Sequence, residues 1–279
     1  MNVLRTELKL GMDRTIRILQ VSDCHLSGCC EEDSGKAKAK SKVKTAAFLK
    51  ESAGVAQQQR LAEALELAES YDALIFTGDV ADSPSRANLE LLSGMLEGRR
   101  YLYTFGNHDY YSYDSDRGCA EDRDRFLDDY LRFLPCDPTM DSMQVGGVNL
   151  VALDDSLAQF SEMQLEFLKA EIRRGLPILL FLHLPIYSPT FVPQAYKWWD
   201  SSMCVGTPAE VLATHGETDP KMPADEVTQA MLELIQSEPL IRAVFASHLH
   251  FADESIVLGK PQFVNEPCYL GSAREIVVF

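Results

Sequence analysis

Short apolar runs alternate with amphipathic stretches along most of this chain. IRILQVS (16–22), ALIFT (73–77), YLYTF (101–105), VNLVAL (148–153), ILLFL (178–182) and AVFAS (243–247) are short and rich in β-branched or aromatic residues, so they predict strands. Leu61, Leu65 and Ala68 at helical spacing predict a helix over about 54–70, and a second is expected over about 84–97. A third, SEMQLEFLKAEIRRG, opens with Ser161 and Gln164 in capping-box spacing and stops at Gly175 and Pro177. DEVTQAMLELIQ (225–236) predicts a fourth. The last stretch, ESIVLGKPQFVNEPCYLGSAREIVVF, reads as strands joined by Gly and Pro turns, an antiparallel C-terminal portion. The alternation predicts one α/β domain over 1–279 with no internal repeat.

Two stretches break the alternation and read as insertions. Residues 27–53 are polar and lysine-rich; residues 187–224 are proline-rich and carry both tryptophans, in AYKWWD. The second is a candidate active-site cap. KAKAKSKVK (36–44) spaces its lysines by two, which does not suit one helix face, and predicts a solvated loop. Its functional alternative is a flexible basic lip that attracts phosphate-bearing substrates. The acid-rich stretch 109–130 lacks EF-hand spacing and reads as a loop and a solvated helix.

Composition narrows the class. With 46% hydrophobic and 24% charged residues, the chain is that of a soluble globular protein with a substantial core. The N-terminus has no secretory apolar region, and no run reaches membrane-spanning length, so an intracellular, cytoplasmic protein with no membrane partner is expected. The formal charge of −16 argues against nucleic acid as the main partner. Seven irregularly spaced cysteines without a C-x-x-C pair are expected to be reduced thiols.

Five of the six histidines lie in polar motifs directly after the apolar runs. In order the motifs are Asp23-x-His25, Gly78-Asp79-x-x-Asp82, Gly106-Asn107-His108-Asp109, His183 and His248-x-His250. Polar groups at strand ends gather at one edge of a sheet, where open α/β folds place their ligands. Imidazole, carboxylate and amide together suit borderline divalent metals. Singly, each has a plainer role: Asp23 or Asp79 as a helix N-cap, His183 as a satisfied core histidine, Asn107 as a turn residue. Strand alternation would put Asp23 and His25 on one side, with Cys24 between them a buried thiol. Asp109 is expected to be structural, and His215, outside every motif, to lie on the surface.

These five blocks in this order, with GNHD intact, resemble the calcineurin-like metallophosphoesterase superfamily, from about residue 16 to 250. The resemblance implies a four-layer α-β-β-α sandwich of two mixed sheets flanked by helices. It implies two divalent ions (Mn, Fe or Zn) about 3.5–4 Å apart, whose bridging hydroxide attacks phosphorus. Asp79 would bridge the ions. Asp23, His25 and His250 would complete one shell, and Asn107, His183 and His248 the other. His108 would bind the phosphate and protonate the leaving alkoxide, oriented by Asp82. Gly78 and Gly106 would allow tight turns and close backbone approach.

Departures narrow the likeness. Phosphoprotein phosphatases read GDxxDRG and GNHE; here Ser83-Pro84 follows Asp82 and Asp109 follows His108. Purple acid phosphatases have tyrosine where Asp82 stands, so no iron–tyrosinate colour is expected. Ser247 replaces a usual glycine, with little change expected. The arrangement most resembles the group of cyclic-nucleotide and other small phosphodiesterases, which implies a small phosphorylated substrate. A phosphomonoesterase, a nuclease of the same superfamily or a non-catalytic protein-binding scaffold are the alternatives. Tyr196, Trp198 and Trp199 would either stack on a planar substrate group or anchor the second insertion, and packing is the commoner role of aromatics.

Overall fold

The structure is a computed structural model that describes residues 1–219 and 222–279; residues 220 and 221, within the second expected insertion, lie outside the described residues. The first half runs β1 (Asn2–Leu8), β2 (Ile16–Val21), α1 (Gly35–Glu51), α2 (Gln57–Ala68), β3 (Ala73–Thr77), α3 (Arg86–Leu96), β4 (Tyr101–Thr104) and α4 (Ala120–Phe133). The second runs β5 (Met140–Val145), β6 (Val148–Leu153), α5 (Glu162–Ile172), β7 (Ile178–Phe181), α6 (Val192–Trp199), α7 (Ala209–His215) and α8 (Glu226–Ser237). It closes with β8 (Ile241–Ala246), β9 (Asp253–Val257), β10 (Lys260–Val264), a 3₁₀ turn (Cys268–Leu270) and β11 (Ser272–Val278).

The strands form two mixed sheets, in the orders β1-β11-β2-β3-β4 and β5-β6-β7-β8-β10-β9. Neighbours β2, β3 and β4 are parallel, as are β6, β7, β8 and β10. Every residue of β3, β4, β6 and β7 is buried, as expected of strands covered on both faces. Alternation then sorts the side chains. Ile18, Ile75, Leu150 and Phe181 face a core between the sheets. Leu19, Phe76 and Tyr103 face outward onto Leu61 and Leu65 of α2 and Leu89 and Leu92 of α3. Val151, Leu153 and Leu180 face outward onto Leu168 of α5 and Met231 and Ile235 of α8. Helices therefore cover both outer faces, giving the expected four layers.

The six expected strands and four expected helices are present within a few residues. Three features differ. β1 and β5 were not expected. The C-terminal portion is only partly antiparallel: β9 pairs with β10 and β11 with β2 antiparallel, but β10 also runs parallel to β8 and β11 parallel to β1. Residues 36–44 are not a loop but lie within α1, capped by Ser34, whose Oγ accepts from Ala37 N at 3.1 Å. Lysine and alanine are good helix formers. A spacing of two also contains a spacing of four, so Lys36, Lys40 and Lys44 share one face.

Candidate metal centre

The polar motifs all lie just beyond the C-terminal ends of β2, β3, β4, β7 and β8. The loops are tied edge to edge. Asp23 N donates to Gly78 O (3.0 Å), His25 N to Asp79 O (2.9 Å), and the imidazole Nδ1 of His183 lies 2.9 Å from Thr77 O, joining the two sheets.

Asp23 and His25 do not converge through strand pleating. β2 ends at Val21, and both residues have φ of 50°. Asp79 (52°), His248 (70°) and His250 (60°) share this left-handed backbone. Five strained non-glycine residues in one cluster mark a place where surrounding structure holds the backbone for a purpose other than stability. Cys24 still turns away, into the outer core of the first sheet. The two glycines are required by space. A Cβ on Gly78 would meet His183 Nδ1 at 2.5 Å, and one on Gly106 would meet Asp79 Oδ1 at 2.2 Å.

Two sets of donor atoms result. In the first, His25 Nε2 lies 3.1 Å from His250 Nε2 and 4.0 Å from Asp23 Oδ1, and His250 Nε2 lies 3.5 Å from Asp23 Oδ1. In the second, His183 Nε2 lies 3.0 Å from His248 Nδ1, 3.2 Å from Asn107 Oδ1 and 3.3 Å from Asp79 Oδ2. Asp79 Oδ2 also lies 3.9 Å from His25 Nε2, so one oxygen faces both sets. Its other oxygen accepts from His108 N at 2.7 Å, which fixes the carboxylate. Both oxygens of Asp23 are buried without a hydrogen-bond partner. A buried carboxylate with no donor is costly unless a cation completes it.

The outer atoms of the imidazoles are already committed. His25 Nδ1 lies 2.8 Å from Asp82 Oδ1, and the Thr77 carbonyl takes His183 Nδ1. Such partners place the proton outward and leave Nε2 as the lone pair facing in, the arrangement of metal-binding histidines. Burial and the neighbouring His183 push His248 down to about 3, so it is a neutral donor. Burial lowers His183, but the Asp79 carboxylate outweighs it and pushes the pKa up to about 10. Without an ion the inward nitrogen of His183 therefore carries a proton, the positive charge that a metal ion would replace there. The donor set of imidazole, carboxylate and amide fits two divalent ions.

His108 and Asp82 stand beside the first set. His108 Nδ1 is 2.9 Å from Asp82 Oδ1, and its ring meets His25 edge-on at 4.8 Å. Burial lowers its pKa, but Asp79 and Asp82 outweigh this and raise it. Asp82 also accepts from Tyr113 Oη. Against the ordinary effect of burial, the His108 and His25 contacts keep it ionised.

Asp109 binds no donor set. Its carboxylate accepts from the backbone N of Asp79 (2.9 Å), Ala81 (2.9 Å) and Gly106 (2.8 Å), and from Tyr103 Oη (2.8 Å). It pins two motif loops together, as expected. Sequence reading missed Asp155, which does the same for His183, accepting from the N–H of His183 (2.9 Å) and Leu184 (3.0 Å). Its signal was available: an acid directly after an apolar run, as in the other motifs. Gln57, which donates to His25 O, and Tyr269, which donates to Glu51 Oε2 (2.7 Å) beside His250, had no such signal. Ser247 Oγ donates to Thr77 O at 2.5 Å, a bond that glycine would lack.

Of the second expected insertion, Trp199 donates from Nε1 to Leu249 O (3.2 Å) and meets the His250 ring edge-on at 5.3 Å, while 39% exposed. Trp198 leans on Phe251 and is 51% exposed. Tyr196 turns away, stacked on exposed His215 at 3.6 Å and donating to Glu217.

The profile of the calcineurin-like phosphoesterases matches residues 16–252, and the chain belongs to that family. It is 26% identical over 213 residues to a cAMP/cGMP dual specificity phosphodiesterase of Mycobacterium tuberculosis, a match covering 71% of this chain and 55% of that one. The chain thus spans little more than half the length of that relative. Its fold is shared with a dimetal phosphatase from Danio rerio (TM-score 0.53, 13% identity, 91% of this chain and 88% of that one). It is also shared with the purple acid phosphatase of yellow lupin seeds (TM-score 0.51, 14% identity, 94% and 45%). Among the described residues no helix is long and apolar enough to cross a membrane.

Proposed function

We propose that this chain, acting as one domain, is a two-metal phosphodiesterase of small molecules. The observation that carries this reading is the shared oxygen: Asp79 Oδ2 faces both donor sets, beside a buried Asp23 carboxylate that accepts no hydrogen bond. Asp23, His25, Asp79 and His250 would hold one ion, and Asp79, Asn107, His183 and His248 the other. When bound, two such ions (Mn, Fe or Zn) activate a shared water and offset charge on the phosphoryl oxygens.

The chain's own groups do the rest. Asn107 and His108 contact the phosphate. His108, its pKa raised by Asp79 and Asp82 against the effect of burial and its Nδ1 2.9 Å from Asp82 Oδ1, donates its Nε2 proton to the leaving alkoxide. The organic part of the substrate has two walls available. One is the exposed face of Trp198 and Trp199. The other is a cavity of about 200 Å³ beside Asn107 and His248, lined by Leu157, Ala158, Leu184, Met203 and Met222. Diester preference draws on the cyclic-nucleotide relative, and a small substrate on the formal charge of −16. The cytoplasm is the compartment this reading carries forward.

Hydrolysis of bis(p-nitrophenyl) phosphate and p-nitrophenyl phosphate, side by side, tests the reading with metal-stripped and Mn²⁺-loaded protein. Metal-dependent turnover of the diester is expected. Preference for the monoester would make the protein a phosphatase, and no turnover by metal-loaded protein would reject the catalytic reading.

A further inference from the structure

The lysine face of α1 stands at the mouth of the metal centre. Lys36 and Lys40 are consumed there. Lys36 Nζ donates to Asp114 O (2.6 Å) and pairs with Asp116 (2.8 Å); Lys40 Nζ pairs with Asp116 and donates to Tyr111 Oη (3.0 Å). These contacts dock the helix on the loop that follows GNHD. One turn further on, Lys44 is different. Its ammonium lies 3.7 Å from Asp82 Oδ2, and its side chain is 33% exposed. Among the described residues it makes no hydrogen bond and is the one lysine or arginine paired with an acid of the centre. Asp82 already faces His25 Nδ1, His108 Nδ1 and Tyr113 Oη, so little of its acceptor capacity is left. Lys44 is thus a cation with unused donors, beside the acid that pairs with His108.

Resting on the hydrolase reading above, we propose that Lys44 is a substrate-binding residue whose ammonium contacts a non-bridging oxygen of the phosphoester. Three features support this. Phe48, one turn on, stacks on His25 at 5.0 Å and anchors this part of α1 on the centre. The Lys44 ammonium lies over the Phe48 ring, 5.7 Å from its centroid, so the ring that packs on His25 also helps to place the head. The chain's charge of −16 repels an anionic substrate, and a cation at the mouth offsets that locally. Lysine reads phosphate as a point charge and needs no fixed fork geometry, which suits a residue at a helix face.

The test compares wild type, Lys44→Gln and Lys44→Arg, all Mn²⁺-loaded. It reads kcat and KM for bis(p-nitrophenyl) phosphate, inorganic phosphate binding by calorimetry, and metal content. Loss of one charge-assisted hydrogen bond predicts about a tenfold rise in KM and about a tenfold loss of phosphate affinity for the Gln variant. Metal content should be unchanged, and Arg should recover most of both. Unchanged KM and phosphate affinity in the Gln variant would overturn the proposal. So would a lowered kcat and displaced pH profile at unchanged KM, because Lys44 would then act only by positioning Asp82. If wild type turned over no phosphoester, the hydrolase reading would fail. Phosphate binding would still decide on Lys44: binding by wild type and not by Lys44→Gln supports it, and equal binding removes it.

Discussion

The floor and the mouth of this centre are built in opposite ways. Floor residues lie at strand ends, are mostly buried, and are locked by backbone hydrogen bonds from neighbouring loops. Several carry left-handed backbone that costs stability. The mouth is made by α1 and α6, whose Lys44, Trp198 and Trp199 remain partly exposed. Chemistry needs donor atoms held within about 0.5 Å, which the two packed sheets supply here. Substrate choice needs surface that can vary without disturbing them. Floor mutations should therefore destroy the reaction, and mouth mutations should retune it.

The largest expected effect is at the oxygen shared by both donor sets. Asp79→Asn replaces that anion with a neutral amide, and activity should fall below detection while bound metal drops below two per chain. A fully active, fully loaded Asp79→Asn protein would remove Asp79 from the bridging position. Next is the support beneath it. Asp109→Ala strands three buried backbone N–H groups, a cost of about 3 kcal/mol or more. Melting temperature should fall by roughly 10 °C, with metal lost in parallel. A thermal scan with unchanged midpoint would show that the loops hold themselves.

His108→Ala separates chemistry from metal binding. Turnover should fall about a hundredfold or more, with both metals retained. In the proposed role the protonated ring would be the active form, and its pKa is raised, so wild-type kcat should decline with rising pH only above the ordinary histidine value of 6.5. The variant should lack this limb. Metal loss in His108→Ala would instead make His108 part of the floor. The smallest effect belongs to the mouth. Trp199→Ala should change the preference between aromatic and aliphatic esters by about threefold to tenfold at unchanged metal content. An equal loss on all substrates, with a lowered melting point, would make Trp199 only an anchor.

Much of the floor was legible because its motifs follow apolar runs that could only be buried strands. Asp155 after VNLVAL fits the same form. The mouth was legible only in part: Trp198 and Trp199 stood out, but the helix that carries Lys44 did not. Lysines at spacing two in KAKAKSKVK looked like a loop, and nothing local revealed that Asp114 and Asp116 would dock Lys36 and Lys40. The backbone at Asp23 and His25 was misjudged for a related reason. Alternation describes a strand, and β2 had already ended at Val21.

By itself, the sequence determined six of the strands, four of the helices that cover them, and which residue types stand at the strand ends, because burial periodicity and residue chemistry are local properties. The tertiary structure alone decided that β11 pairs with β2, that one oxygen of Asp79 faces donors from both sheets, and that Lys44 comes to rest beside Asp82. Each of these joins residues tens to hundreds of positions apart. Such contacts are fixed by how whole layers pack, and no local pattern encodes them.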